Sequence, residues 1–213
     1  FHPAYAKIVQ PMHAEISELI EIGRILHSRG WLPASGGNLS ARLENGQVLI
    51  TASGSHKGHL TREDFVLLDI DGKLVEGSKK PSAETMLHLV VYRNLPEVMS
   101  VIHVHSIGST LISRVSDGDV RLENYELLKA FKGIKTHEAS IVVPVFENSQ
   151  DMNALSKLVE DRLLNDKTYG FLLRSHGLYT WGRTIREAYI RLEAFEFLFE
   201  CELRLFSLKY PHA

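Results

Sequence analysis

Apolar residues along this chain switch between a helical and a strand rhythm, and the switches fall at glycines, prolines and Asn/Asp-Gly pairs. Between residues 12 and 29, Ile16, Leu19, Ile20, Gly23 and Leu26 recur at three- and four-residue steps, predicting an amphipathic helix that ends at Gly30. Two hairpins are expected next. One joins residues 39–43 to 47–51 through Glu44-Asn45-Gly46, and the other joins 65–70 to 73–75 through Asp71-Gly72. After Pro81, Ser82 is the expected N-cap of a helix running through Glu84, Leu87 and Val91 to about Asn94, and residues 98–105 read as a strand. Further strands are expected at 140–146, 170–174 and 178–181, with a helix from Asp151 to about Asn165. From Thr184 to Lys209, Ala188, Leu192, Phe195, Phe199, Leu203 and Phe206 form one helical stripe that stops before Pro211. Hairpins require antiparallel pairing and the stripes must cover a sheet. The expected fold class is therefore α/β: a single layered domain, residues 1–213, with a central, largely antiparallel sheet covered by helices.

Composition narrows the function classes. With 213 residues, 44% of them hydrophobic and 23% charged, the chain can bury a sizeable core, and no linker or repeat divides it. A formal net charge of −2 with no basic stripe argues against nucleic acid as a partner. Cys201 is the single cysteine, so no intramolecular disulfide forms, and residues 1–10 lack the apolar core of a signal peptide. No run of eighteen apolar residues follows, so a cytoplasmic protein without a membrane partner is expected. Residue 1 is Phe rather than Met, which suggests that the chain lacks its true start or a processed tag.

The candidate chemistry begins at Val101-Ile102-His103-Val104-His105. On a strand, the period of two puts both imidazoles on one face. A catalytic zinc takes three protein ligands and keeps one open position, and His176, after an apolar strand and before Gly177, is the best third donor. Taken alone, His-x-His also describes two ordinary sheet residues. His2, His13, His27 and His212 read as surface positions, while His56, His59, His88 and His137 could approach a site. Ser35-Gly36-Gly37-Asn38, Thr51, Ser53, Gly54, Ser55 and Ser82 form small hydroxyl-rich turns whose N–H and Oγ groups can hold a phosphate, with Lys57 adding a charge; each alone also fits a plain turn. Glu84 suits the first turn of its helix, and Glu126 heads a short helical run.

Ser35-Gly36-Gly37-Asn38-Leu39-Ser40, Thr51-Ala52-Ser53-Gly54, Pro81-Ser82-Ala83-Glu84, His103-Val104-His105-Ser106 and His176-Gly177, in this order, resemble the class II (zinc-dependent) aldolase superfamily over residues 12–200. Residues 144–151 and 176–182 further resemble the methylthioribulose-1-phosphate dehydratases of methionine salvage. The resemblance implies one Zn2+ per subunit on His103, His105 and His176, and a phosphorylated keto-sugar bound at Ser35–Asn38 and 51–55. It also implies Glu84 or Glu126 as acid and base, and a homotetramer with sites near subunit boundaries. The expected reaction is dehydration, with Glu126 as first choice for the base and Glu84 for the acid. An aldolase or epimerase acting on fuculose, rhamnulose or ribulose phosphates, and a non-catalytic interaction module, are the alternatives on the same scaffold.

Overall fold

Strand parity decides how this molecule is layered. In the computed structural model, which describes residues 3–209 and the side chains of 12–209, β5 (Ser100–Val104) sends Ile102 and Val104 into one core and Val101 into another. The expectations for His2 and His212 lie outside the described residues. The first core gathers β1 (Asn38–Arg42) and β2 (Val48–Thr51) through Leu39, Ala41 and Leu49, under α1 (Pro3–Ser28) and α5 (Ile185–Lys209). On the opposite face α2 (Thr85–Asn94) and α4 (Met152–Asn165) cover Val48, Val101, Phe171, Tyr179 and Trp181.

The remaining strands are β3 (Phe65–Leu68), β4 (Leu74–Glu76), β6 (Val120–Glu123), β7 (Ser140–Val143), β8 (Val145–Phe146), β9 (Gly170–Leu173) and β10 (Gly177–Gly182). Eight strands form one sheet in the order β4-β3-β2-β1-β5-β10-β9-β8. Every pairing in it is antiparallel except β8 with β9, which makes the expected α/β class and largely antiparallel sheet correct. Both expected hairpins are present, as β1–β2 and β3–β4. In the sheet centre, Asn38 of β1 and Tyr179 of β10 both stand opposite His103.

Three expectations need correction. The helix after Pro81 begins at Thr85, so Ser82 is not its cap; Glu84 occupies that position, and the Ser82 hydroxyl accepts the Glu84 N–H at 3.3 Å. The strand expected at 140–146 breaks at Pro144: β7 pairs with β6 in a separate ribbon, while β8 joins the main sheet. The third concerns α3 (Ile107–Val115), which the apolar pattern did not predict; Ser106 caps it, its Oγ accepting the Ser109 N–H at 2.9 Å. Among the described residues no helix is long and apolar enough to cross a membrane.

Candidate metal centre

The site is assembled at one end of the central strands. His103 lies in the buried run of β5, one residue before its end, and His105 lies just past its last residue, its N–H donating to the Trp31 carbonyl at 2.9 Å. His176 sits in the tight turn between β9 and β10, where Ser175 takes a left-handed conformation (φ 56°). Two α3 side chains clamp that turn. The Ser113 hydroxyl accepts the Ser175 N–H at 3.0 Å, and the Thr110 hydroxyl donates to the His176 carbonyl at 3.0 Å. Gly177 is required next, because a Cβ there would collide with the Val104 carbonyl.

The three rings aim at one point. Nε2 of His105 lies 2.9 Å from Nε2 of His103 and 2.9 Å from Nε2 of His176, and the third side of the triangle is 3.4 Å. Donor atoms in a tetrahedral zinc site stand about 3.3 Å apart, so the triangle has the right size for one ion. Ring protonation points the same way. The Leu178 carbonyl can only accept, so His103 donates to it from Nδ1 at 3.0 Å and keeps its Nε2 lone pair free. His176 Nδ1 faces Asn148 Oδ1 at 3.3 Å with the same consequence. Lone pairs converging at this distance repel one another unless a cation lies between them, and the residues present fit such a cation. Tyr179 stacks on His103 with centroids 3.8 Å apart and planes 9° apart, fixing that ring in its plane.

Electrostatics favour neutral ligands beside an anion. Burial holds His103 well below its ordinary range, and burial, then His176, lowers His105 to about 4. Glu84 stands 3.0 Å from His176 Nε2 and 3.5 Å from His103 Nε2. Burial opposes its ionisation, but its polar contacts, among them the Asn38 amide N–H donated to Oε2 at 2.7 Å, hold its carboxyl below the ordinary range. Glu84, His103, His105 and His176 thus form a group able to hold a metal.

Glu84, His105 and His176 border a cleft of about 390 Å³, which Ser35, Gly36, Gly37, Asn38, Ser53, Gly54, Lys57 and Ser82 also line. Gly36 passes so close to His105 that a Cβ would stand 2.7 Å from Nδ1, and Gly37 (φ 70°) would press one on the His103 carbonyl. Lys57 is buried, donates to the Ser35 carbonyl at 2.6 Å, and is lowered by burial to about 8. Thr51 and Ser55 are not among the lining residues. The Thr51 hydroxyl accepts the Leu39 N–H at 3.2 Å, and the Ser55 hydroxyl donates to Asp64 at 2.9 Å. Glu126 is not brought to the cluster within this chain: its side chain is 73% exposed and paired with Lys129 at 2.5 Å, which keeps its carboxyl below the ordinary range. Sequence reasoning passed over Asn148 and Tyr179 and left His88 open; for His88 the usable signal was its position four residues after Glu84, on one helix face.

A triad of imidazoles and a glutamate at the end of such a sheet defines a metal-dependent domain of the class II aldolase type. The family model described as Class II Aldolase and Adducin N-terminal domain matches residues 17–203. The chain is 49% identical over 194 residues to a methylthioribulose-1-phosphate dehydratase of Methylococcus capsulatus, covering 91% of this chain and 95% of that protein. It is 51% identical over 189 residues to the protein of the same name from Stenotrophomonas maltophilia, covering 88% and 89%. Among solved structures, the L-fuculose-1-phosphate aldolase of Thermus thermophilus superposes with a TM-score of 0.72 at 26% identity, covering 91% of this chain and 97% of that one. The chain belongs to the methylthioribulose-1-phosphate dehydratases, within the class II aldolase and adducin N-terminal domain family.

Proposed function

We propose that the chain is a zinc-dependent carbon–oxygen lyase that dehydrates 5-methylthioribulose 1-phosphate to 2,3-diketo-5-methylthiopentyl 1-phosphate in methionine salvage. In this reading it works as a cytoplasmic homotetramer, each chain being one class II aldolase-like domain with one Zn2+ on His103, His105 and His176. The observation that carries the reading is the convergence of three imidazole nitrogens beside an ionised carboxylate, in a chain 49–51% identical to proteins named for that reaction. Three neutral nitrogens suit zinc and leave room for one more oxygen donor.

When bound, zinc supplies a Lewis acid for the C2 carbonyl of the substrate, which makes the neighbouring C3 hydrogen acidic. The protein's own residues handle the rest. Dehydration moves the C3 proton to a carboxylate and expels the C4 hydroxyl as water once that oxygen has received a proton; the resulting enol ketonises to the 2,3-diketone. Glu84, held as a carboxylate beside the cluster, first takes a proton from solvent and then passes it to the C4 oxygen. Glu126 takes the C3 proton, presented by a neighbouring subunit across a boundary, because its exposed carboxylate does not face the cleft of its own chain. Phosphate binds among Ser35–Asn38, Ser53, Gly54 and Ser82, where Lys57 is the one Lys or Arg among the described lining residues. That contact holds C3 in register with the base.

The test is a substrate panel with and without chelator. Methylthioribulose phosphate should yield an α-diketone that disappears with the metal, whereas aldehyde release from fuculose, rhamnulose or ribulose phosphates would make the protein an aldolase. Glu126→Gln should keep its zinc and lose turnover; normal turnover in that variant removes Glu126 from the reaction.

A further inference from the structure

Behind the cluster, α2 lies over β1 with two polar stripes in mesh. Glu84, His88 and Tyr92 recur at four-residue steps on and just before the helix, and Asn38 and Ser40 alternate on the strand. The Val101 N–H donates to Tyr92 Oη at 3.1 Å, Tyr92 Oη meets Ser40 Oγ at 2.7 Å, and Ser40 Oγ meets His88 Nδ1 at 2.7 Å. His88 Nε2 then meets Asn38 Oδ1, and Asn38 Nδ2 donates to Glu84 Oε2 at 2.7 Å. Ser40, His88, Tyr92 and Asn38 are all buried.

Glu84 sets the direction of this chain. A carboxylate only accepts, so Asn38 turns its NH2 to Glu84 and its oxygen to His88; His88 then donates from Nε2 and accepts at Nδ1, which takes the Ser40 proton at 2.7 Å in preference to the Val101 carbonyl at 3.4 Å. The consistent arrangement runs from Tyr92 O–H to Ser40, from Ser40 O–H to His88 Nδ1, and from His88 Nε2–H to Asn38 Oδ1. Reversing the Asn38 amide would set its oxygen against the Glu84 carboxylate, acceptor to acceptor. The second Asn38 N–H is already directed to Ser82 Oγ at 3.3 Å.

We propose that His88, which neither lines the cleft nor reaches the metal cluster, is a positioning residue that locks the Asn38 amide and through it holds Glu84 in its working orientation beside His103 and His176. The catalytic consequence rests on the dehydratase reading of Glu84. Burial of His88, which lowers it to about 3, keeps the ring neutral at physiological pH and agrees with this direction. Bonds directed head to tail also polarise one another, so loss of one link weakens the last bond to Glu84.

The test has a part that needs no substrate. Nitrogen-15 NMR of the histidine-labelled, zinc-loaded protein should show His88 protonated on Nε2 with Nδ1 bare; protonation on Nδ1 overturns the proposal. The second part is a matched pair of neutral variants. In His88→Gln the amide reaches Asn38 and can still donate, while in His88→Asn it reaches only Ser40. His88→Asn should lose about 10- to 100-fold in kcat with KM and zinc content near those of the wild type, and His88→Gln should recover most of the loss. A purely structural role would move the melting temperature of both variants and leave their kcat equal; equal kcat values overturn the proposal. Wild-type turnover, measured first, separates failure of the dehydratase reading from failure of the relay.

Discussion

Two groups of three histidines lie among the described residues, and one of them has the build of a site. His27, His56 and His59 touch ring to ring, with centroids 4.5 and 4.8 Å apart, much as His103, His105 and His176 do at 4.4 to 5.0 Å. Ring spacing therefore does not distinguish them. Aim and support do. In the second group the Nε2 atoms face one another at 2.9–3.4 Å, two Nδ1 positions are tied to a carbonyl or an amide oxygen, and a carboxylate stands alongside. In the first group His56 and His59 are exposed, and the anchored nitrogen is His27 Nδ1, 2.9 Å from the Leu32 carbonyl. A histidine cluster becomes a ligand set when outer partners orient the lone pairs, and burial makes leaving those lone pairs unmatched costly.

Removing one member from each group gives the largest contrast. His105→Ala or His176→Ala should abolish stoichiometric metal, read by elemental analysis, and bring turnover below about 1% of wild type, since two imidazoles hold zinc poorly. His56→Ala and His59→Ala should keep both within about twofold, as exposed substitutions generally do. Loss of metal in the latter pair would erase the distinction. Stripping the metal should lower thermal stability in the same sense, by about 4 kcal/mol where free zinc had stood a thousandfold above its dissociation constant.

The layers were readable from local chemistry, and the site only partly so. Asn-Gly and Asp-Gly turns flanked by apolar runs announce the β1–β2 and β3–β4 hairpins without tertiary information. The facing of His103 and its neighbours followed from period two. By contrast, α3 has nine residues and followed a strand expected to end at His105, so its pattern had little length in which to show. Nothing local pairs His176 with His105 across 71 positions; its place after an apolar strand and before Gly177 made it the best third donor, the resemblance strengthened that choice, and the β5–β10 register supplies its geometry. The Glu84, His88 and Tyr92 stripe was present in the sequence, but its meaning depended on α2 lying across Asn38 and Ser40. Long-range pairing of two short polar stripes leaves no signature in either stripe alone.

The support behind the built cluster also shows in acid. His88 is buried and lowered from 6.5 to about 3, so the folded protein resists a proton that the unfolded chain accepts. A depressed histidine contributes stability in full above the unfolded value of 6.5 and loses it as pH falls through the window toward 3. Between pH 7 and pH 4 the loss is about 3 kcal/mol. Denaturant titrations of wild type and His88→Gln at both pH values should show the gap between them shift by that amount in favour of the variant at pH 4. An unchanged gap would mean that His88 takes up its proton as readily in the folded protein as in the unfolded chain.

The smallest effect separates the groups most finely, because the crowding can be made alike in both. Gly36 runs against His105, where a new Cβ would stand 2.7 Å from Nδ1, and Gly58 runs against His27, where a new Cβ would collide with Cδ2. Neither glycine has a left-handed backbone, so alanine tests mainly contact with the ring, joined at Gly36 by the Pro33 carbonyl at 3.1 Å. Both substitutions should cost about 1–3 kcal/mol of stability through overpacking. Only Gly36→Ala should also weaken zinc, by about 10- to 100-fold in affinity, because the ring it displaces points a lone pair at the shared centre. Competition with a chromophoric chelator reads that difference directly. Equal zinc affinity in the two variants would show that a displaced His105 still reaches the ion, and that the close approach of Gly36 serves the phosphate turn instead.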